Sequence, residues 1–205
     1  MSLSSKQPRA IMFDLDGTLV SSSLNFVKIC TELGCKPGTD ILAFISSLPA
    51  AEQRIAHELI HDYEREDAET AMIIDGVADV LAALKERRIN TAIVTRNSQT
   101  ATMLKLKRSN IKVEKVITRE MGVPKPAPDT LLNLANAWGF RSRDCCYVGD
   151  YVYDLQAANN ADMHAIWFAN GIQPHPDYSR LADFHFDHYN EFVNRLDEYW
   201  GSLHS

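Results

Sequence analysis

Side chains capable of chemistry gather just beyond apolar runs of this chain: Asp14 and Asp16, then Thr95, Lys125, Asp150 and Asp154. The first pair closes the stretch Ala10-Ile11-Met12-Phe13-Asp14-Leu15-Asp16-Gly17-Thr18-Leu19. In an extended chain side chains alternate faces, so Asp14 and Asp16 project the same way at the strand's carboxyl end. Paired acids of this kind suit a hard cation, with one free to attack and the other to carry protons. Gly17 lets the chain leave the strand in a conformation that a side chain would oppose, and Thr18 can hydrogen-bond the turn beneath the acids. Taken alone, the pair is also compatible with an Asx-rich turn after a buried strand.

Later strands bring further groups to the same kind of position. Thr91 to Thr95 reads as a buried strand that delivers Thr95 with Arg96 and Asn97. The loop after a strand at Val113 to Thr118 delivers Lys125 between Pro124 and Pro126, and Cys145 to Gly149 delivers Asp150, with Asp154 one turn later. Each is weak alone: Thr95 and Asp150 could cap helices, and Lys125 could be a solvated lysine. In an open α/β sheet, ligands bind outside the carboxyl ends of the strands near a switch in strand order. Together these residues make a site with one hydroxyl, one amine and four carboxylates.

The elements that must position them alternate β-α-β-α, which implies a Rossmann-like, doubly wound, mostly parallel sheet covered by helices on both faces. Gly76 to Arg88, Ser98 to Ser109, Ala127 to Trp138 and Val152 to Asn160 read as helices, and His164 to Phe168 as a fifth strand. Residues 21–72 interrupt this rhythm with a small helical insertion, leaving 1–20 and 73–205 as the core. The insertion reads as a helix stopped at Leu33-Gly34, a second capped by Asp40 and running through Ser47, and a third opened by Pro49 and kept up to the charged stretch Glu64 to Glu69. Past Gly171, Gln173 to Tyr178 reads as a loop, Phe184 to Asp187 as an edge strand and Tyr189 to Trp200 as a terminal helix.

A chain of 205 residues with 45% apolar and 23% charged residues suits a soluble globular protein. A net charge of −6 leaves no basic footprint, so nucleic acid is not an expected partner. No apolar run approaches bilayer length, and Met1 to Arg9 is too short and polar for a secretory signal, so the expectation is a cytoplasmic protein with no membrane partner. Cys30, Cys35, Cys145 and Cys146 lack metal-site spacing and read as reduced, mostly buried thiols.

The four motifs Asp14-Leu15-Asp16-Gly17-Thr18, Thr95, Lys125-Pro126-Ala127-Pro128-Asp129 and Gly149-Asp150 with Asp154 resemble those of the haloacid dehalogenase superfamily, in its branch of phosphohydrolases with a helical cap. Within that branch the chain is most similar to phosphoglycolate phosphatase-like proteins, with a short cap at 21–72. The resemblance implies that Asp14 attacks phosphorus to give an aspartyl-phosphate, and that Asp16 protonates the leaving alkoxide and then activates water. It implies Mg2+ on the Asp14 carboxylate, the Asp16 backbone carbonyl and Asp150, with Asp154 in support. Thr95 and Lys125 would hold the phosphoryl oxygens, with Arg96 and Asn97 as further substrate contacts. The partner implied is a small phosphorylated metabolite, met by a monomer or homodimer. Asp16 favours phosphoryl transfer over dehalogenation, since a departing halide needs no proton. Tyr151, Ser21 and Asp162 depart from the usual pattern, Tyr151 standing where it could narrow the entrance. A phosphomutase, or a non-catalytic binding protein that kept the fold, remain alternatives.

One further pattern, His57-Glu58-Leu59-Ile60-His61, matches a zinc-protease helix but has no third ligand of the known kinds downstream. A place for Arg54, His57 or His61 opposite substrate, or plain solvation, suits that insertion better. His175, His185 and His188 read as loop and edge residues, and Trp138, Trp167 and Trp200 as packing.

Overall fold

A computed structural model describes residues 7–172 and 176–203. The chain runs β1 (Ala10–Phe13), α1 (Phe26–Leu33), α2 (Ile41–Ser47), α3 (Ala50–Thr70), α4 (Val77–Glu86), β2 (Asn90–Val94), α5 (Gln99–Ser109), β3 (Lys115–Ile117), α6 (Asp129–Trp138), β4 (Cys145–Gly149), α7 (Val152–Asn160), β5 (His164–Phe168), α8 (Pro176–Leu181), β6 (Phe184–Phe186) and α9 (Tyr189–Ser202). The six strands form one sheet in the order β3-β2-β1-β4-β5-β6, every pair parallel. Strand order reverses between β1 and β4, where the sheet's crevice opens at the carboxyl ends of the strands.

The two faces of the sheet follow from the strict alternation of β1. Ile11 and Phe13 enter one apolar core with Val77, Leu84, Phe192 and Leu196; Ala10 and Met12 enter the other with Leu131, Leu155 and Tyr147. Cys145 and Cys146 likewise part to opposite faces, both buried and unpaired, as their adjacency in a strand requires. Each fully buried Leu, Ile or Phe contributes about 1.5–3 kcal/mol, so the central strands carry much of the fold's stability. On the first face α9 buries Tyr189, Phe192, Leu196 and Trp200 at helical spacing, and Tyr189 Oη donates to Thr18 O at 2.9 Å beneath the acidic loop. Trp138 and Trp167 pack on the other face.

Between β1 and α4 stand α1, α2 and α3, packed around a small core of their own made by Ile29, Ile45, Ala56 and Ile60. Local chemistry sets their limits. Asn25 Oδ1 accepts from Lys28 N at 2.9 Å to start α1, and Gly34, at φ 76°, ends it in the left-handed region. Asp40 Oδ1 accepts from Ala43 N at 3.1 Å to start α2.

Two sequence expectations are revised. The helix α3 continues through Glu64 to Glu69 as far as Thr70, because Glu64 and Asp67 turn inward to buried cations instead of to water. Part of the loop expected at 173–178 is helical, with Pro176 in the first turn and Asp177 paired with Arg180. His175 and the rest of that loop's start, 173–175, lie outside the described residues.

Candidate active site

The end of β1 leads into a loop pinned on both sides. Asp14 N donates to Val148 O at 2.8 Å, fixing the nucleophile candidate against β4, and Gly17 N donates to Val20 O at 2.8 Å. Gly17 has φ 73°, and a Cβ there would overlap the Asp150 carboxylate. Glycine is therefore required by both backbone and space. Thr18 Oγ1 donates to Asp150 Oδ1 at 3.1 Å, bringing the β4 end against the β1 end. A Cβ on Gly149 would in turn overlap Asp154, so the second glycine lets α7 pack its first turn over β4.

Lys125, from the loop after β3, is buried with its Nζ 2.6 Å from both Asp14 Oδ1 and Asp154 Oδ1. Asp154 Oδ2 accepts from Tyr151 N at 3.0 Å, and Tyr147 Oη lies 3.4 Å from Asp154 Oδ1. Carboxylate oxygens of Asp14, Asp150 and Asp154 all fall within 4.8 Å of one another, the one such group among the described residues that could hold a metal ion. Three hard oxygen donors so close suit a divalent cation such as Mg2+. Their protonation tells the same story. Burial pushes the Asp14 carboxyl up to about 7, against the pull of Lys125 and with the help of Asp154 and Asp16. Burial, then Asp154 and Asp14, push Asp150 up to about 8. Burial also presses Lys125 toward neutrality, but Asp14 and Asp154 more than offset it and its ammonium is held charged. The cluster has more negative charge than one lysine satisfies, and a cation would relieve it.

Asp16 is built differently. Its Oδ1 takes Lys105 Nζ at 2.5 Å and its Oδ2 takes the Asn97 amide. Burial still raises its carboxyl above the ordinary value, with Lys105 opposing. Its carboxylate is thus held by Lys105 and Asn97, and it is not part of the Asp14, Asp150 and Asp154 group that could hold a metal ion. Thr95 is buried; its Oγ1 accepts from Asn97 N at 3.1 Å, which leaves the hydroxyl hydrogen free to donate.

The structure brings Asp14, Asp16, Thr95, Arg96, Asn97, Lys125, Asp150 and Asp154 to one cavity of about 420 Å³. Within it Arg96 Nη2 pairs with Asp40 at 2.5 Å, and the Asn97 amide donates to Asp16. From α3 the cavity takes Ile60 and Glu64, whereas Arg54, His57 and His61 do not line it. Arg54 pairs with Glu58 on an exposed face, and the two histidines gather no third metal ligand among the described residues.

Four residues that sequence reasoning passed over, Lys105, Asp67, Arg119 and Glu64, lie in and around the site. Lys105, fully buried on α5, bridges Asp16 to Asp67 of α3, with both contacts at 2.5 Å. Asp67 also accepts from Ser23 N at 2.5 Å, Ser23 Oγ at 2.9 Å and Ser22 Oγ at 3.1 Å, where the chain enters the insertion. Arg119 binds Glu64. A periodicity signal was present: Ala56, Ile60, Glu64 and Asp67 share one helical face, and Lys105 sits among Ala101, Thr102 and Leu106 on the buried face of α5.

Residues 37–168 match the family model for haloacid dehalogenase-like hydrolases. A haloacid dehalogenase-like hydrolase domain-containing protein of Arabidopsis thaliana is 30% identical over 71% of this chain, a match spanning 64% of the plant protein's length. A protein named phosphoglycolate phosphatase from Xylella fastidiosa is 28% identical, with 83% of this chain and 84% of that protein covered. Among solved structures, a hydrolase from Pseudomonas syringae superposes with a TM-score of 0.79 at 20% identity, covering 94% of this chain and 99% of the other, which shows a shared fold. No helix among the described residues is long and apolar enough to cross a membrane.

Proposed function

The chain belongs to the haloacid dehalogenase-like hydrolases, and from that premise we propose that it is a magnesium-dependent phosphatase that hydrolyses a small phosphorylated metabolite through a phosphorylated Asp14. The observation that carries this reading is Lys125 Nζ, 2.6 Å from Asp14 and 2.6 Å from Asp154 at the end of the central strand, with Asp150 beside them. The name of the Xylella relative supports a phosphate monoester as substrate.

With Lys125 on Oδ1, the second oxygen of Asp14 attacks phosphorus in line while the bond to the leaving oxygen breaks. Asp16, whose raised carboxyl retains a proton more readily than an exposed one, gives that proton to the departing alkoxide. The same carboxylate then takes a proton from the water that attacks phosphorus, which returns Asp14 to its free form. Lys125 and the Thr95 hydroxyl hold the phosphoryl oxygens. Asn97 donates to Asp16 and so helps to orient it beside the substrate. Mg2+ held by Asp14, Asp150, Asp154 and the Asp16 carbonyl would supply the positive charge that lets a carboxylate approach a phosphate dianion. Residues 21–72 act as a cap that limits water and meets the leaving group.

The test is phosphate release from a generic aryl phosphate. It should require Mg2+ and vanish in Asp14→Asn. Full activity in that variant, or halide release from a haloacid in place of phosphate release, would overturn the reading.

A further inference from the structure

We infer that the leaving group accepted here is an uncharged alcohol with an apolar or aromatic face, and not a short carboxylate such as glycolate; the inference rests on the phosphatase reading and narrows its substrate class. Beyond the acids, the insertion lines the cavity with Leu24, Phe26, Ile29, Ile41, Leu42 and Ile60. Phe26 keeps 61% of its surface exposed although large and apolar. Tyr151 and Tyr153, which line the same cavity, meet edge to face at 5.3 Å at the start of α7, and the Arg96 guanidinium lies 5.1 Å over the Tyr153 ring. The space of about 420 Å³ is far more than a two-carbon acid needs.

Charge decides between the classes. Every cation lining the cavity among the described residues already holds a carboxylate: Lys125 holds Asp14 and Asp154, Arg96 holds Asp40 at 2.5 Å, and Arg119 holds Glu64. Away from the reacting acids, Arg96 and Arg119 cancel Asp40 and Glu64. A second anionic group on the substrate would either displace one of those acids or lie against hydrocarbon with no counter-charge, and burying an unpaired charge is strongly unfavourable. A neutral leaving group meets no such penalty.

Benzyl phosphate and phosphoglycolate test this directly, since both are esters of a primary alcohol and differ in carrying phenyl or carboxylate. Benzyl phosphate should show kcat/KM higher by about tenfold or more. Asp40→Asn keeps an oxygen to cap α2 but removes the charge from Arg96, and should raise kcat/KM for phosphoglycolate and narrow the ratio. A ratio at or below one, or no gain for phosphoglycolate in Asp40→Asn, overturns the inference while leaving the phosphatase reading in place. Calorimetric binding of benzylphosphonate and phosphonoacetate to the Asp14→Asn protein reads the same preference without turnover. Tighter benzylphosphonate binding with no ester hydrolysed by the native protein would overturn the phosphatase reading alone; equal or weaker binding would overturn the inference.

Discussion

Removing Lys105 should cost both stability and turnover. Its ammonium is wholly buried and lies 2.5 Å from one oxygen of Asp16 and 2.5 Å from one of Asp67, so those two oxygens are no more than 5 Å apart. In Lys105→Met the two carboxylates face each other with no counter-charge. At that separation like charges repel by about 3 kcal/mol at an effective dielectric near 20. Removing one partner from a buried ion pair typically costs about 3–5 kcal/mol, so the unfolding free energy should fall by about that amount. For a chain of this size that is a drop in Tm of about 6–20 °C. Asp16 also loses one of its two anchors, and kcat should fall by about ten- to a hundredfold on a substrate with a poor leaving group, within the range that general acids contribute. Urea titrations followed by tryptophan fluorescence measure the first effect. Adding Asp67→Asn, which removes one of the stranded charges yet keeps an oxygen for Ser23, should recover part of the loss. A cost under about 1 kcal/mol for Lys105→Met, or no recovery in the double variant, would refute the reasoning, since neither fits a buried pair.

Other consequences can be checked alongside. In the metal-free protein Asp14 and Asp150 ionise near 7 and 8 instead of 3.8, so the folded chain keeps protons that the unfolded chain has lost. Their contribution to stability is complete below about pH 4 and is lost as pH rises through 7 and 8. Metal-free protein should therefore melt lower at about pH 8.5 than at about pH 6, and added Mg2+ should raise Tm more at the higher pH. Gly17→Ala, which forces a side chain into the left-handed region and onto Asp150, should destabilise by about 1–3 kcal/mol and abolish the Mg2+-dependent rise in Tm. Arg54→Ala, by contrast, removes only an exposed pair with Glu58 and should shift stability by less than about 0.5 kcal/mol with turnover unchanged.

Strand ends were the most legible part of the chain, because a buried parallel strand is a continuous apolar run and its last polar residue declares itself. β1, β2, β4 and β5 lie where apolar runs place them, and the groups that follow them, Asp14, Thr95 and Asp150, meet in one cavity. The helix limits at Gly34, Asp40 and Ser98 were legible for the same local reason, since each is a capping residue next to a periodic segment. What stayed hidden was the second layer of charge. Glu64 and Asp67 fall in a run of mostly charged residues that reads as solvated, and only the fold supplies Arg119 and Lys105, each remote in sequence, to hold them inside. Arg96 and Asn97 stand at a strand end where substrate contacts are expected, but their pairing with Asp40 and Asp16 was not legible. Pairing across distant elements has no periodicity to announce it.

Trapping the phosphorylated enzyme tests the central claim most directly. Native protein with Mg2+ and an aryl phosphate, quenched during turnover and reduced with borohydride, should carry homoserine at position 14 when its peptides are mapped by mass, because the reductant cleaves an acyl phosphate. Homoserine at any other aspartate, or continued turnover with position 14 unmodified, would contradict it.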